Sequence, residues 1–232
     1  MREIVFDTET TGLNPAAGDR MVEIGCVEIF NRVETGRHFH AYFNPDRDMP
    51  SDAEAVHGLT AIFLSDKPRF AERAEELLDF LEDSPLVAHN ASFDFGFLNH
   101  ELERCGRPAV CVKRMRDTLQ LARVRHPGAK HSLDALCMRF GIDRSHRVKH
   151  GALLDAQLLA KVYVELTGGR QIGLGLVAEA GRVTVDPAER PIIVPEPRPA
   201  RPHFAAEEEL ARHRAFISSL VNPLWARFAS AG

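Results

Sequence analysis

The amino-acid sequence predicts an α/β fold in which one mixed sheet is flanked by helices, followed by a flexible linker and a short C-terminal helix. The first observation is that three strand-like patterns follow one another at the start of the chain, with no helical pattern between them. The second is that short apolar strand patterns then alternate with helical ones up to residue 166. A sheet of this kind buries its apolar side chains under covering helices. The third is a group of six prolines between Pro187 and Pro202, which is typical of an extended linker.

The N-terminal strands are predicted where apolar and β-branched residues dominate or alternate, at residues 2–8, 21–30 and 35–43. Residues 31–34 are predicted to form a hairpin turn between the last two. In the third strand Phe39, Ala41 and Phe43 alternate onto one face, as the two-residue period of a strand requires. Three strands joined in this way form an antiparallel meander.

The helices are predicted where apolar residues recur at helical spacing, at residues 51–57, 68–82, 117–124, 132–140, 151–166 and 206–220, with one more that begins at Ser92. Two short strands are predicted at residues 86–88 and 110–115. Ser51 and Ser92 are expected to cap their helices, because a serine hydroxyl accepts a hydrogen bond from an N–H group of the first turn. These elements continue the sheet and cover it.

The 232-residue chain is predicted to have three parts, namely a folded domain at residues 1–169, a linker at 170–205 and a C-terminal segment at 206–232. Hydrophobic residues make up 44% of the chain, and no apolar run reaches the length of a membrane span, so no membrane partner is expected. The N-terminus leads directly into a strand and not into a signal peptide, which favours a cytoplasmic protein. The four cysteines lack metal-ligand spacing and are expected to be reduced thiols, mostly in the core.

The net charge of −4 conceals an uneven distribution. Residues 1–99 carry 8 basic and 19 acidic residues, whereas residues 100–150 carry 12 basic and 5 acidic ones. Such a division suits a protein that gathers cations at one place and contacts phosphates at another, although simple surface scatter would produce it too.

Four carboxylates stand out because each is predicted to lie where burying its charge would be unfavourable. Asp7 and Glu9 lie two residues apart at the end of the first strand, so their side chains face the same side; that stretch alone fits a solvated turn equally well. Asp94 and Asp155 each lie on an otherwise apolar helix face. Together the four acids are better explained by a shared pair of hard divalent cations, Mg²⁺ or Mn²⁺, which prefer oxygen ligands.

His150 precedes Asp155 by five residues at the start of the same helix. An imidazole beside an activated water can accept its proton at neutral pH. In isolation, a surface histidine in a basic loop is the simpler interpretation. Read together with the four carboxylates, the position favours a general base.

Three segments carry a resemblance to a known family, namely Asp7 to Gly12, His89 to Asp94 and His150 to Ala156. They resemble the three motifs of the DEDD 3′–5′ exonucleases, and the histidine five residues before the last aspartate resembles the histidine subtype. The resemblance covers roughly residues 1–168 and implies a ribonuclease-H-like fold. The layout, with a linker and a short tail after the catalytic domain, is similar to the proofreading exonuclease family of bacterial DNA polymerase III.

The resemblance implies a role for each matching residue. Asp7, Glu9, Asp94 and Asp155 would hold two Mg²⁺ or Mn²⁺ ions, and His150 would be the general base that helps water to release a nucleoside 5′-monophosphate. The 3′-terminal nucleotide of DNA would be bound by Asp7, Glu9 and Asp155 and by neighbouring residues, which are Thr10, Thr11, Gly12, Val56, His57, Asn90 and Phe93. Val56 and Phe93 are equally expected to be core residues.

Two segments of the tail are predicted to bind partners. The short apolar stretch at residues 171–176 resembles peptides that bind the sliding clamp, through Gln171, Leu174 and Leu176, or it is a frayed helix end. The C-terminal helix lacks a core of its own, so its apolar residues are expected to bury against a partner; they are Leu210, Phe216, Ile217, Leu220 and Trp225. The resemblance implies that this partner is the polymerase α subunit. Folding back onto the exonuclease domain is the alternative.

The leading hypothesis is a proofreading 3′–5′ DNA exonuclease that acts on the 3′ end of DNA within a bacterial replicative polymerase. An RNA-trimming exonuclease of the same superfamily is the alternative within the enzyme class, and residues 170–232 argue against it. A mainly structural subunit of the polymerase–clamp assembly is the alternative outside that class, and the intact set of acids argues against it.

Overall fold

A computed structural model of the chain describes residues 1–145, 149–169 and 204–221. Its centre is a sheet of five strands in the order β3-β2-β1-β4-β5. The strands are β1 (Arg2–Thr10), β2 (Met21–Phe30), β3 (Val33–Tyr42), β4 (Leu86–Ala88) and β5 (Met115–Asp117). β1 pairs with β2, and β2 with β3, in antiparallel fashion, whereas β4 is parallel to β1 and to β5. The predicted mixed α/β sheet is therefore confirmed.

A tight turn sets the register of the β2–β3 hairpin. Its two central residues, Asn31 and Arg32, have φ angles of 50° and 67°. Positive φ at both positions is the geometry of a type I′ turn, whose twist matches that of the flanking strands. β3 consequently begins at Val33, two residues earlier than the sequence pattern predicts.

The structure assigns the helices as α1 (Ser51–His57), α2 (Ala61–Leu64), α3 (Phe70–Leu81), α4 (Ser92–Arg104), α5 (Thr118–Arg125), α6 (Leu133–Phe140), α7 (Ala152–Leu166) and α8 (Glu207–Ser218). Residues of α3 and α4 pack on one face of the sheet, and residues of α7 pack on the other. Short 3₁₀ turns occupy Pro15–Ala17 and Val112–Arg114. The strand predicted at residues 110–115 is therefore wrong, because Val112–Arg114 forms a 3₁₀ turn and the strand begins only at Met115.

Both predicted serine caps are also wrong. Pro50 occupies the N-cap position of α1 and Ala91 that of α4, and neither helix has a side-chain cap. Each serine already lies inside its helix, where its hydroxyl is past the N–H groups that a cap satisfies. Ser132, by contrast, accepts a hydrogen bond from the amide of Ala135 at the start of α6.

The alternation of β1 divides the core into two layers. Ile4 and Phe6 face one side of the sheet, where they join a cluster that includes residues of α3 and α4. Val5 faces the other side and packs with Val27, Val87 and residues of α7. Asp7 and Glu9 continue the Val5 row, so the register of one strand directs both acids toward the layer of α7.

Two further expectations concern the four cysteines and the presence of membrane-spanning helices. The four cysteines are free thiols, but only Cys26 and Cys137 are buried, whereas Cys105 is half-buried and Cys111 is exposed. The prediction that they lie mostly in the core therefore holds for two of four. Within the described ranges, no helix combines the length and the apolar character that a bilayer crossing requires.

The described residues fall into two compact units. One contains residues 1–145 and 149–169, and the other contains residues 204–221. In the second unit Leu210 and Phe216 of α8 are exposed, as is Leu220 just after it, and Ile217 is partly buried. Gln171, Leu174, Leu176, Trp225 and the proline-rich linker lie outside the described residues, so the predictions about them stay predictions.

Candidate active site

The strand β1 presents the first two acids of the site. Because β1 continues to Thr10, both Asp7 and Glu9 lie within regular strand geometry. Glu9 is buried and Asp7 partly buried. Burying two carboxylates next to each other on the same face of a strand is unfavourable unless a positive charge is nearby.

The third acid reaches the site from the other layer. Asp94 lies in the first turn of α4 and is buried, with 3% of its surface exposed. Its Oδ1 accepts a hydrogen bond of 2.8 Å from the hydroxyl of Thr8, which lies between the two β1 acids. Burial raises the pKa of Asp94 to about 7, although the Thr8 hydrogen bond opposes the rise.

The fourth acid and the histidine come from the beginning of α7. Asp155 lies in the first turn of the helix and is 3% exposed, whereas half of the His150 side chain is exposed. His150 Nδ1 lies 3.3 Å from Asp155 Oδ2. The amide of His150 donates a hydrogen bond of 3.4 Å to the carbonyl of Val56, which ties the segment before α7 to α1.

The structure brings these groups to one place. One ligand atom from each of Glu9, His150 and Asp155 lies within 4.8 Å of the other two. Burial, followed by the negative charges of Asp94, Glu9 and Asp155, raises the pKa of Asp7 well above its ordinary value. Like charges crowded in this manner are stabilised by a cation. An oxygen-rich donor set of this kind fits a hard divalent ion.

The acids form the floor of an open cleft of about 710 Å³. Asn90 and Phe93, which were predicted to bind substrate, line it. Phe93 also packs on the core through Phe97, with ring centroids 5.0 Å apart, so it belongs to both predicted environments. The cleft is also lined by residues that the sequence did not single out, which include Arg123, His131 and Asp134.

Five residues predicted to bind substrate are not among the described residues that line this cleft, namely Thr10, Thr11, Gly12, Val56 and His57. The hydroxyl of Thr10 donates to the carbonyl of Gly12 over 2.6 Å, and that of Thr11 accepts from the amide of Arg20 over 2.9 Å. Both hydroxyls therefore stabilise the loop after β1. A Cβ atom at Gly12 would collide with the Asp19 carboxylate, so a larger residue there would require the Asp19 side chain to shift.

Val56 and His57 flank the His150 segment. Val56 is 50% exposed, so the alternative that it is a core residue is wrong. His57 is buried, and its Nδ1 accepts a hydrogen bond of 3.0 Å from the amide of Leu59. Burial lowers the pKa of His57. Their contact with a substrate stays a prediction, as does that of Thr10, Thr11 and Gly12.

The chain is similar in sequence to one protein family and to two named bacterial proteins. A family model described as Exonuclease matches residues 4–163. The chain is 48% identical over 231 residues to DNA polymerase III subunit epsilon of Rickettsia felis, covering 95% of this chain and 97% of that protein. It is 44% identical over 223 residues to the Escherichia coli protein of the same name, covering 92% and 91%.

Solved structures show the same fold. Exonuclease X in complex with 5′-overhanging duplex DNA matches with a TM-score of 0.55 and 26% identity, covering 71% of this chain and 90% of that one. Escherichia coli exonuclease I in complex with a dA16 oligonucleotide matches with a TM-score of 0.60 and 19% identity, covering 72% and 40%. At that identity the second likeness is one of fold alone.

Proposed function

The chain belongs to the exonuclease family and, over most of its length, to the family of DNA polymerase III epsilon subunits, and from this premise we propose that it removes mismatched 3′-terminal nucleotides from DNA. The reaction is hydrolysis of the last phosphodiester in the 3′–5′ direction, and the product is a nucleoside 5′-monophosphate. In this role the chain proofreads the work of a bacterial replicative polymerase.

The observation that carries the proposal is the meeting of four carboxylates and one histidine from three elements at a single cleft. β1 contributes Asp7 and Glu9, α4 contributes Asp94, and the start of α7 contributes Asp155 with His150 just before it. Buried acids from elements so distant in sequence would cost stability without a common ligand. A site for divalent cations explains why all of them are present.

The donor set suits two Mg²⁺ or Mn²⁺ ions held by Asp7, Glu9, Asp94 and Asp155. When bound, such ions supply positive charge for the scissile phosphate, for the attacking water and for the leaving oxygen. Thr8 keeps the Asp94 carboxylate oriented through its 2.8 Å hydrogen bond. The proximity of Asp7 to three other acids makes it the residue best placed to serve both ions.

His150 acts as the general base. Its Nδ1 faces Asp155 at 3.3 Å, so the carboxylate orients the ring and favours the tautomer with the proton on Nδ1. Nε2 is then the nitrogen that accepts the proton of the attacking water. The water oxygen bonds to phosphorus, the bond from phosphorus to the 3′ oxygen breaks, and the released 3′ oxygen takes a proton from solvent. The half-exposed position of His150 leaves room for a strand end to approach.

Two partners complete the proposal. The exposed apolar residues Leu210 and Phe216 of α8, and Leu220 just after it, support binding to the polymerase α subunit, because such side chains are stabilised by burial against a protein. Binding of the sliding clamp through Gln171, Leu174 and Leu176 follows from their order in the sequence alone.

The test is degradation of 5′-labelled single-stranded DNA and matched RNA, with Mg²⁺ and with EDTA. Wild type should shorten DNA from its 3′ end only with the metal, and Asp7→Ala should abolish the ladder. His150→Ala should lower kcat by about 10²- to 10⁴-fold with little change in DNA affinity. His38→Ala is the control, because His38 is an exposed histidine on the edge strand β3 and is not among the residues that line the cleft.

Each of the other possible results of this assay would favour a different function or contradict one of the proposed roles. Degradation of RNA alone would favour the RNA-trimming alternative. Absence of activity on both polymers would favour a structural subunit, which would retain polymerase binding in the Asp7→Ala variant. Loss of DNA binding in His150→Ala without loss of kcat would contradict its role as the base.

A further inference from the structure

Another part of the cleft lining, its α5–α6 wall, is built by α5, by the segment that leads into α6 and by the start of α6. Leu119 and Arg123 of α5 line it, together with His131 and Asp134. The metal acids account for one side of the cleft, and the proposed chemistry uses no residue of this wall. A nucleic acid strand whose end lies at the acids must nevertheless pass along some part of the cleft.

Arg123 faces the cleft because of its helical position. It lies four residues after Leu119, so the two side chains share one face of α5, and both line the cleft. Thr118 and Ala122, also four residues apart, are buried against the core. Arg125 belongs to the same last turn, yet it lines a separate and smaller hollow with Gln120 and Leu121.

The helix that carries Arg123 is fixed to the catalytic segment. Asp117 caps α5, and its Oδ1 accepts hydrogen bonds from the amides of Leu119 (2.9 Å) and Asn90 (3.1 Å). The hydroxyl of Thr118 lies 2.9 Å from His89 Nδ1 and donates to the carbonyl of Ala88 over 3.2 Å. These contacts join α5 to the loop that precedes Asp94, so Arg123 is held on a rigid support.

The charge of Arg123 is available. The side chain is exposed and makes no ion pair or hydrogen bond with any residue in the described ranges 1–145, 149–169 and 204–221. The nearest acid in sequence on that wall, Asp134, pairs with Arg144 at 2.8 Å. Among the described residues that line the cleft, Arg123 is the sole lysine or arginine.

We propose that Arg123 binds a phosphate of the DNA strand that lies 5′ to the scissile bond, and so sets the affinity for the strand while leaving the chemical step unchanged. The inference rests on the proposed exonuclease function. A guanidinium forms two parallel hydrogen bonds with a phosphate, which a lysine ammonium does not reproduce. Cations held by the acids would neutralise the scissile phosphate, whereas the next phosphates along the strand lie beyond the acids and would be stabilised by a cationic side chain of the protein.

The expected signature separates binding from catalysis. A residue that contacts a non-reacting part of the substrate equally in the ground state and the transition state raises KM when it is removed and leaves kcat unchanged. Loss of a charge-assisted hydrogen bond in Arg123→Ala should raise KM about tenfold. The slope of log affinity against log salt should fall by about 0.7, the value for one phosphate contact on a single strand.

The matched control is Arg125→Ala, which removes the same charge from the same helix turn but on the other side of α5. Wild type, Arg123→Ala, Arg123→Lys and Arg125→Ala are compared on a 5′-labelled single strand with Mg²⁺. A general effect of net charge would raise KM equally in both alanine variants. A specific contact raises it in Arg123→Ala alone, with Arg123→Lys between that variant and wild type.

A substrate with one neutral methylphosphonate linkage identifies the contact. The neutral linkage is moved one position at a time away from the 3′ end, and KM is measured for wild type and for Arg123→Ala. At one linkage 5′ to the scissile bond, neutralisation should raise KM for wild type but should have little further effect in Arg123→Ala. Equal effects in both proteins at every linkage would overturn the inference, as would a fall in kcat without a rise in KM. A wild type inactive on DNA and on RNA would overturn the proposed function as well, so the two failures are distinguishable.

Discussion

Replacing Gly25 with alanine should displace the beginning of α7 and inactivate the enzyme. Gly25 lies on β2 directly opposite Asp7 in the β1–β2 register. A Cβ atom there would lie 2.5 Å from the carbonyl carbon of Ala152 and would also collide with the backbone of Leu153. Because the colliding atoms belong to the backbone, no change of rotamer relieves the contact.

The size of the displacement follows from the contact distance. Carbon atoms in contact are separated by about 3.5–4.0 Å, so the start of α7 has to move by about 1 Å. Asp155 and His150 flank Ala152 closely in sequence and would move with it. A misplacement of about 1 Å in a catalytic group can cost on the order of 10²-fold in rate. Overpacking of this kind costs about 1–3 kcal/mol in the free energy of unfolding, which leaves a folded protein.

The assay compares kcat, KM and urea unfolding for wild type, Gly25→Ala and Gly96→Ala. Gly96 lies on the exposed side of α4, and a Cβ there would meet no other atom within 4 Å. Gly96→Ala should therefore retain full activity and gain up to about 1 kcal/mol in stability. Gly25→Ala should lose about 10²-fold in kcat with KM near that of wild type. A kcat within threefold of wild type would refute the reasoning, because it would mean that α7 accommodates the methyl group without moving the acids.

Two predictions concern stability. Glu101 accepts two hydrogen bonds from Arg20, of 2.7 and 2.9 Å, and its side chain is 2% exposed. Glu101→Gln should therefore lower the free energy of unfolding by about 3 kcal/mol in urea titrations, and a loss below 1 kcal/mol would contradict this. Burial has the largest single effect on Glu28 and would raise its pKa, but hydrogen bonds from Arg2 and Thr35, together with the charges of Arg2 and Arg37, outweigh burial and hold the pKa below its ordinary value. The stability that results is present above about pH 4.3, the unfolded-state pKa, and is lost as the pH falls through the lowered pKa. The stability gap between wild type and Glu28→Gln should accordingly narrow between pH 7 and pH 3, and a gap independent of pH would oppose this explanation.

Much of the fold and of the candidate site could be predicted from short-range patterns. The alternation of β1 places Asp7 and Glu9 on one face, and the helical period places Asp94 and Asp155 on faces that would otherwise be apolar. These are properties of residues within four positions of one another, so a single strand or helix is enough to express them. The meander and the alternating strands and helices follow from the same periodicities.

The short-range sequence patterns gave wrong boundaries for one strand and two helices. The pattern at residues 110–115 suits a strand, yet Val112–Arg114 forms a 3₁₀ turn, and the edge strand starts at Met115. Ser51 and Ser92 are good caps in isolation, but Pro50 and Ala91 occupy the cap positions. In each case the surrounding packing selects the boundary, because the difference in local preference is a fraction of a kcal/mol.

Only the tertiary structure decides which side chains meet. The approach of α7 to β2 at Gly25 brings His150 and Asp155 to the acids of β1, although more than 140 residues separate them in sequence. Burial of Thr118 and Ala122 orients α5, so that Arg123 lines the cleft and Arg125 lines a separate hollow, a distinction that the charge of the segment does not contain. The sequence specifies which residues carry the chemistry, since strand and helix periods are local. Long-range burial of apolar surface specifies how they are arranged, because it depends on contacts between elements that are distant along the chain.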